Sequence, residues 1–414
     1  MRRIESFLEV LVAITLVLNC NSIWARHIIP KENTILLCIS IFLLAIMSLR
    51  NILRSRKSFF KVSVALIIVN IFNLIFLIYN TSNSVDYIMR FIFILSCSII
   101  YSVNIGIKGE LNKLLIKISN VVYILSIISL VIYILAIILK VLPSTSEILL
   151  DWGDKRYVKS YYHLLYETQS FSIFGINLTR NTGIFTEAPM YAFLLCISLG
   201  VKLFIEKKDK VIVYLFPLTF TIFTTFSTIG IVAASILIVT YFLLKKGETK
   251  IYSIIKFMIF PVIVIVGITV SLIFIQNRIE GSKYGGGSYS IRVDDFKIGI
   301  QVWKENKLFG IGYGEFEMVQ QYVNKTIRGT DIGGSSGIMH ILAQGGVYLL
   351  LIHLIPAILV IFSSIRYKKY NYLLFTSLII GLLLITAVQY TFISIYLIAW
   401  LISLNILKRK VYCA

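Results

Sequence analysis

Charge is what this chain has least of. Asp, Glu, Lys and Arg make up 14% of its 414 residues, while 58% are hydrophobic and mean hydropathy is +0.87. A soluble fold cannot bury that much apolar surface. Lipid accepts it, in runs of about 20 residues. Cysteine is scarce as well. Cys20, Cys38, Cys97 and Cys196 fall inside apolar runs and Cys413 in the tail, a spacing that neither staples outer loops nor holds zinc. No charged n-region, short apolar h-region and small-residue cleavage site stand apart at the start, so the first apolar run is expected to stay as a span. Heptads, helical repeats and low-complexity tracts are missing. The one biased patch, GSKYGGGSYS at 281–290, reads as a flexible lead-in to a later helix.

What is present is a series of apolar runs. Hydropathy predicts twelve spans: 7–24, 34–49, 62–79, 91–107, 118–139, 184–205, 211–226, 228–244, 251–275, 338–363, 371–388 and 391–407. The seventh and eighth, and the last two, are joined by very short turns. With the N-terminus inside, 24 of the 40 Lys and Arg fall in the short inner turns and tail, and 14 of the 20 acids fall outside. That is the positive-inside pattern. It places both termini in the cytoplasm. It also explains the net charge of +20 as topology. The basic residues are scattered over turns and form no groove, which argues against a nucleic-acid partner.

The expected fold is an all-α polytopic membrane protein, one integral membrane domain over 1–414, with two large extracytoplasmic loops at about 140–183 and 276–337. A carrier with rocking halves keeps its loops short and its polar groups at the midplane. Here the midplanes are Ile, Leu, Val and Phe, and the polar chemistry gathers in the outer loops. In the first loop, Trp152, Tyr157, Tyr161 and Tyr162 read either as an interfacial aromatic belt or as a sugar-stacking surface. His163 shows no partner in sequence. In the second loop, Ser290 is positioned to cap a helix from Ile291. Val293, Phe296, Ile300 and Trp303 recur at spacings of 3, 4 and 3, predicting an amphipathic helix on the membrane surface or on the bundle. Asp294 and Asp295 then fall in its first turn, where they suit the helix dipole. Gly310, Gly312 and Gly314 allow a tight bend after it. This GxGxG follows no strand and opens no long helix, so a dinucleotide site is rejected. His340 lies at the outer mouth of the tenth span. His353 lies deeper in the same span and reads as a satisfied packing residue.

Three stretches together resemble the Wzy-type repeat-unit polymerases and the related O-antigen ligases. RNTGIFTEAPMYAFL is similar to the family's Arg, Gly, Phe, Glu, Pro signature through Arg180, Gly183, Phe185, Glu187 and Pro189, with Ala188 interposed before the proline. IRVDDFKIGIQVWKENKLFGIGYGEF resembles its Arg, Trp and Gly-rich stretch through Arg292, Trp303, Leu308, Gly310, Gly312, Gly314 and Phe316. MHILAQGGVYLLL resembles its His-led span opening through His340 and Leu342, with Ile341 for the usual Asn and Gln344 for the usual acid. The likeness covers about 180–350 by motif and the rest by topology.

The resemblance implies a GT-C-like membrane glycosyltransferase in the cytoplasmic membrane. Its substrate would be an undecaprenyl-diphosphate-linked oligosaccharide on the outer face, in capsule, exopolysaccharide or O-antigen biosynthesis. A flippase and a chain-length regulator would be its partners. Arg180 and Arg292 are then the candidates to hold the diphosphate, whose charge grows as the glycosidic bond breaks. His340 is a candidate base for the incoming hydroxyl, and Glu187 competes with it. Trp303 and Tyr313 join the two arginines as substrate-binding candidates. Outside the membrane no paired carboxylates show metal-like spacing, and neither metal nor cofactor is expected. Ligase and flippase readings stand beside the polymerase reading. An interfacial Arg180–Glu187 salt bridge is the purely structural alternative for that pair.

Overall fold

The computed structural model describes residues 2–152, 154–173, 176–206, 211–244, 288–315, 319, 321–322 and 336–412. In chain order the helices and strands are α1 (Arg2–Leu18), α2 (Pro30–Ile52), α3 (Arg56–Tyr79), α4 (Ser84–Ile107), α5 (Lys113–Ile138), β1 (Ser146–Trp152), β2 (Asp154–Tyr161), β3 (Leu165–Tyr166), β4 (Ser170–Ile173), β5 (Ile176–Thr179), α6 (Ala188–Ile205), α7 (Val211–Thr224), α8 (Thr228–Leu244), α9 (Ser288–Glu305), α10 (Gly337–Arg366), α11 (Tyr370–Ile385) and α12 (Phe392–Ile406), closed by a short α13 (Lys408–Tyr412). Six of the described helices are long and apolar enough to cross a membrane, and α7, α8, α11 and α12 are shorter apolar helices. The protein is a multi-pass membrane protein. Each expected span except 251–275, which lies outside the described residues, coincides with a helix. Both expected tight hairpins, α7–α8 and α11–α12, are present.

The chain forms two compact units, one of residues 1–118 and 291–414 and one of 119–290, the division falling within α5. In the first unit, α12 is the central helix. Nearly every side chain from Phe392 to Leu404 is buried, and Trp400 donates its indole N–H to Asn112 Oδ1 at 3.2 Å. On α3, by contrast, Ile67, Ile68, Ile71, Leu74 and Ile78 all point outward. An apolar helix exposed along its length is stable only against lipid. Where charge is buried it is paired. Glu9 on α1 is fully buried, 2.8 Å from Lys117 and 3.2 Å from Lys113, and it accepts from the Tyr101 hydroxyl at 3.0 Å. His353, as expected of a packing residue, is buried with Nδ1 2.9 Å from the Leu349 carbonyl.

One irregularity in this unit has a clear cause. Within α4, residues Ile88–Ile94 wind as a π-helix. Asn73 of α3 donates to the Phe91 carbonyl in that stretch at 3.0 Å and accepts from Tyr87 at 2.7 Å. A neighbouring amide thus partners a carbonyl in the widened turn.

In the second unit, α6 is buried along its whole length and packs on α7 and α8. Gly230 of α8 lets that helix approach, since a Cβ there would lie 2.8 Å from Ala192 Cβ. Ser119 and Ser198 bond at 2.9 Å and Ser129 and Tyr191 at 2.7 Å, so polar pairs join α5 to α6. Lys202 lies 2.5 Å from both Glu206 Oε2 and Asn120 Oδ1 and stacks over Tyr214.

The first loop holds structure that hydropathy did not announce. β1–β2–β3 form an antiparallel sheet and β4–β5 a hairpin. Of the loop tyrosines, Tyr157 and Tyr162 are exposed, whereas Tyr161 is buried with Leu165 against Tyr133 and Ala136 and donates to Glu167 at 2.5 Å. Tyr162 and His163 both adopt the left-handed conformation in the β2–β3 turn, and the His163 ring reaches the Tyr166 hydroxyl at 3.1 Å.

Candidate functional site

The Gly-rich run after α9 is docked backbone to backbone on α10. Inside α10, Gly346 takes a left-handed φ of 59° with ψ −160°, which breaks the helical ladder. The carbonyls around that break become available, and the loop uses them. Ile311 N–H donates to Ala343 O at 2.9 Å and Gly312 N–H to Gln344 O at 3.1 Å. In return Val347 and Tyr348 N–H donate to Lys307 and Leu308 carbonyls, each at 3.0 Å. Gly310, also left-handed, lies so close that a Cβ would meet Gly345 N at 2.5 Å and Ala343 O at 2.7 Å. The sequence marks both sides of this joint, GIGYG and AQGGV, and the joint is their reason for glycine.

The same loop is fastened to the start of α4. Asn80 Nδ2 donates to Phe309 O at 2.8 Å, and Asn83 Nδ2 to Tyr313 O at 3.2 Å. Tyr313 is buried, edge-on to Tyr87 and Tyr390, and its hydroxyl donates to Asp86 Oδ2 at 2.9 Å. Burial pushes that phenol well above its ordinary pKa. Arg90 opposes the shift and Asp86 adds to it. Asp86 in turn receives Arg90 Nε on both oxygens, at 3.0 and 2.8 Å, while Arg90 Nη1 donates to Tyr390 O at 2.6 Å and its guanidinium lies 4.4 Å over Phe392. Neither Asp86 nor Arg90 was singled out from sequence. Their i, i+4 spacing beside a span was the available signal.

Helix α9 starts at Ser288, before the expected cap at Ser290. The shift moves Asp294 and Asp295 beyond the first turn, and both are buried, so the helix-dipole reading of them is corrected. The packing face also differs from the expected one. Ile298 and Val302 pack with Ala343, and Gly299 crosses α10 so closely that a Cβ would lie 2.6 Å from Met339 Cβ. Phe296 and Ile300 of the expected apolar face are instead exposed. A second apolar row, offset by two residues, takes the bundle and leaves the first for the outside. Trp303 donates Nε1 to the Lys307 carbonyl at 3.1 Å, closing the end of its own helix. Arg292 lies on α9, and its side chain is outside the described residues.

His340 occupies the first turn of α10, its N–H donating to the Ser336 carbonyl at 3.1 Å. Ser336 is the N-cap residue, with φ −108° and ψ 117°, yet its side chain makes no capping bond. Among the described residues its hydroxyl is buried without a partner, and so are both amide atoms of Gln344, which is 1% exposed.

Arg180 and Glu187 belong to the other unit. Arg180 is buried and donates Nε to Thr225 O at 2.9 Å and Nη2 to Phe226 O at 3.3 Å, at the C-terminal end of α7. Asn181 beside it donates Nδ2 to Thr224 Oγ1 at 3.1 Å and its backbone N–H to Thr224 O at 2.9 Å. A cation on the last carbonyls of a helix is favoured by the helix dipole. Glu187 is half-buried and is the N-cap residue of α6, not a residue one turn inside it. Pro189 consequently falls in the first turn, where a missing N–H costs no helical bond. The cap itself is supplied from the loop, by Gln169 Oε1 accepting from Ala188 N–H at 3.0 Å.

No curated protein matches the chain. Residues 213–354 match the family model described as O-Antigen ligase, a region that runs from α7 through the Gly-rich run to the broken part of α10 and contains Arg292, Trp303, Tyr313 and His340. Over that third of the chain the protein is similar to the O-antigen ligase family.

Proposed function

We propose that this protein polymerises undecaprenyl-diphosphate-linked oligosaccharide repeat units on the outer face of the cytoplasmic membrane. The observation that carries the reading is the match over 213–354, which holds four of the six candidate residues. Supporting it, the two remaining candidates lie on the segment between β5 and α6, Arg180 on the end of α7 and Glu187 at the start of α6. In the reaction an acceptor sugar hydroxyl attacks the anomeric carbon of the donor. The new C–O bond forms as the carbon–phosphate oxygen bond breaks, and its electron pair leaves on the polyprenyl diphosphate. Arg180 and Arg292 stabilise that leaving charge. His340 accepts the hydroxyl proton, with Glu187 as the competing base. Trp303 offers a ring to the saccharide. Tyr313, whose hydroxyl is engaged by Asp86, supports the site through the loop.

The test replaces Arg180, Arg292 or His340 by Ala, confirms membrane insertion, and examines the lipid-linked pool. Single repeat units accumulating outside, with loss of long chains, are expected. Unchanged chain length in all three variants overturns the assignment. The ligase reading is favoured by the similarity of residues 213–354 to a family described as O-antigen ligase. It predicts full-length chains stranded on the lipid carrier. Accumulation on the cytoplasmic face instead marks a flippase.

A further inference from the structure

Ser336, His340 and Gln344 recur every fourth residue, so they share one face of the first half of α10. Two of the three are anomalous. A serine at an N-cap normally turns its oxygen onto the N–H of the second or third helical residue. Ser336 has the cap backbone but not the bond, and its Oγ is buried with no partner. Gln344 is buried to 1% exposure with both its donor and its acceptor unmatched. Buried polar groups are otherwise paired almost without exception, and an orphan is destabilising unless something else partners it. The Gly346 break and the docked loop account for the backbone of this segment but leave these side-chain atoms unused. The helix end is also fixed in place. Gly337 packs directly on the Leu383 and Thr386 carbonyls, at a distance that admits no side chain.

A helix N-terminus presents unpaired N–H groups and the positive end of its dipole, the ordinary design of a phosphate site. Here it is joined by a hydroxyl that has forgone its cap. We infer that the N-terminal face of α10 is a phosphate-binding wall, in which the first-turn N–H groups and Ser336 Oγ hold a phosphate of a prenyl diphosphate and the Gln344 amide donates to the same ligand. The inference rests on the proposed lipid-diphosphate chemistry and adds Ser336 and Gln344 to the residues that grip it, on the same face as His340.

The experiment uses the full chain in detergent, with labelled farnesyl diphosphate as probe in an equilibrium binding assay. Two variants are informative because both should fold. Ser336→Asp places a good cap residue and a negative charge at the helix end. Gln344→Leu replaces an orphaned amide by an apolar side chain of similar size. Expected is a loss of affinity of at least about tenfold for S336D. For Q344L a several-fold loss is expected together with a raised melting temperature, a combination that a purely structural glutamine cannot produce. A competition arm with phosphatidylglycerol separates the sources of phosphate. Weak competition identifies the prenyl diphosphate, and equal competition identifies a general lipid-headgroup site and overturns the assignment to substrate. Wild-type affinity in both variants also overturns it. Because binding is read without chain elongation, the two ideas fail separately. Ser336-dependent binding with no polymerase activity removes only the catalytic reading. Unaltered binding in a protein whose R180A variant shortens chains removes only this one.

Discussion

The Tyr313 hydroxyl lies 2.9 Å from Asp86 Oδ2, across 227 residues of sequence, and ties the Gly-rich loop to the start of α4. The bond requires a protonated phenol, and burial keeps it so by raising the tyrosine's pKa. Tyr313→Phe should lower stability by about 1.5 kcal/mol, the low end for a bond to a charged acceptor, because the carboxylate is half exposed. The sign of its pH dependence follows from the raised folded pKa. The contribution is complete below the unfolded value of about 10 and is lost as pH rises beyond it. Melting curves of wild type and Y313F in detergent should therefore differ at pH 8, by a gap that begins to narrow as pH rises past about 10. A gap that widens with pH would sink this account.

The glycine joint makes a sharper prediction. Gly310→Ala and Gly346→Ala each force a side chain into left-handed backbone and into main-chain atoms that cannot give way, Ala343 O at 2.7 Å for one and Lys307 O at 2.7 Å for the other. Each should cost about 3 kcal/mol or more, the left-handed conformation alone accounting for about 1–2. Gly381→Ala, where nothing lies within 4 Å, is the control and should be neutral or slightly stabilising. Equal yields of folded protein for all three substitutions would refute the joint.

Arg180 and Asn181 grip the same end of α7, and only the first is proposed to act on substrate. Removing either should lower the melting temperature, by about 1–3 kcal/mol in stability. Chain length distinguishes them. Asn181→Ala should keep long chains once the protein is inserted, and Arg180→Ala should not. Parallel losses in both would reduce Arg180 to a structural cap.

Phe296 and Ile300 form an exposed apolar stripe on α9 while Ile298 and Val302 face the bundle. An exposed stripe on a surface helix of a membrane protein belongs at the lipid interface. A tryptophan placed at Phe296 should be quenched by brominated lipid in nanodiscs much more than one placed at Val302. No difference between the two positions would remove the helix from the membrane surface.

These cases show which features can be read from the chain. The spans were legible because lipid imposes one rule, apolar length, on every residue of a helix. The start of α6 was expected at 184, four residues early, although Pro189, whose preference for a first turn places the boundary after Glu187, carried the signal. Apolar periodicity could predict α9 but not its orientation, because two apolar rows, Phe296–Ile300 and Ile298–Val302, overlap on one short helix. The two small β-sheets within 146–179 were not legible. Their strands are polar and short, and the pairing is settled by neighbours such as Leu149 opposite Tyr157. Of the candidate site, residue types and their order were readable. What each side chain touches was not, since the Arg180 contact lies 45 residues away and the isolation of Gln344 depends on everything packed around it.

The joint between the Gly-rich run and α10 is built from main-chain atoms, and main-chain atoms are common to every amino acid. Drift in side chains there is nearly silent, provided that small residues keep the two strands of backbone within reach. The side chains of Ile341 and Gln344 take no part in the joint's bonds, so exchanging them leaves those bonds in place. The chemistry carried on α10 is then free to diversify while the scaffold that presents it stays the same.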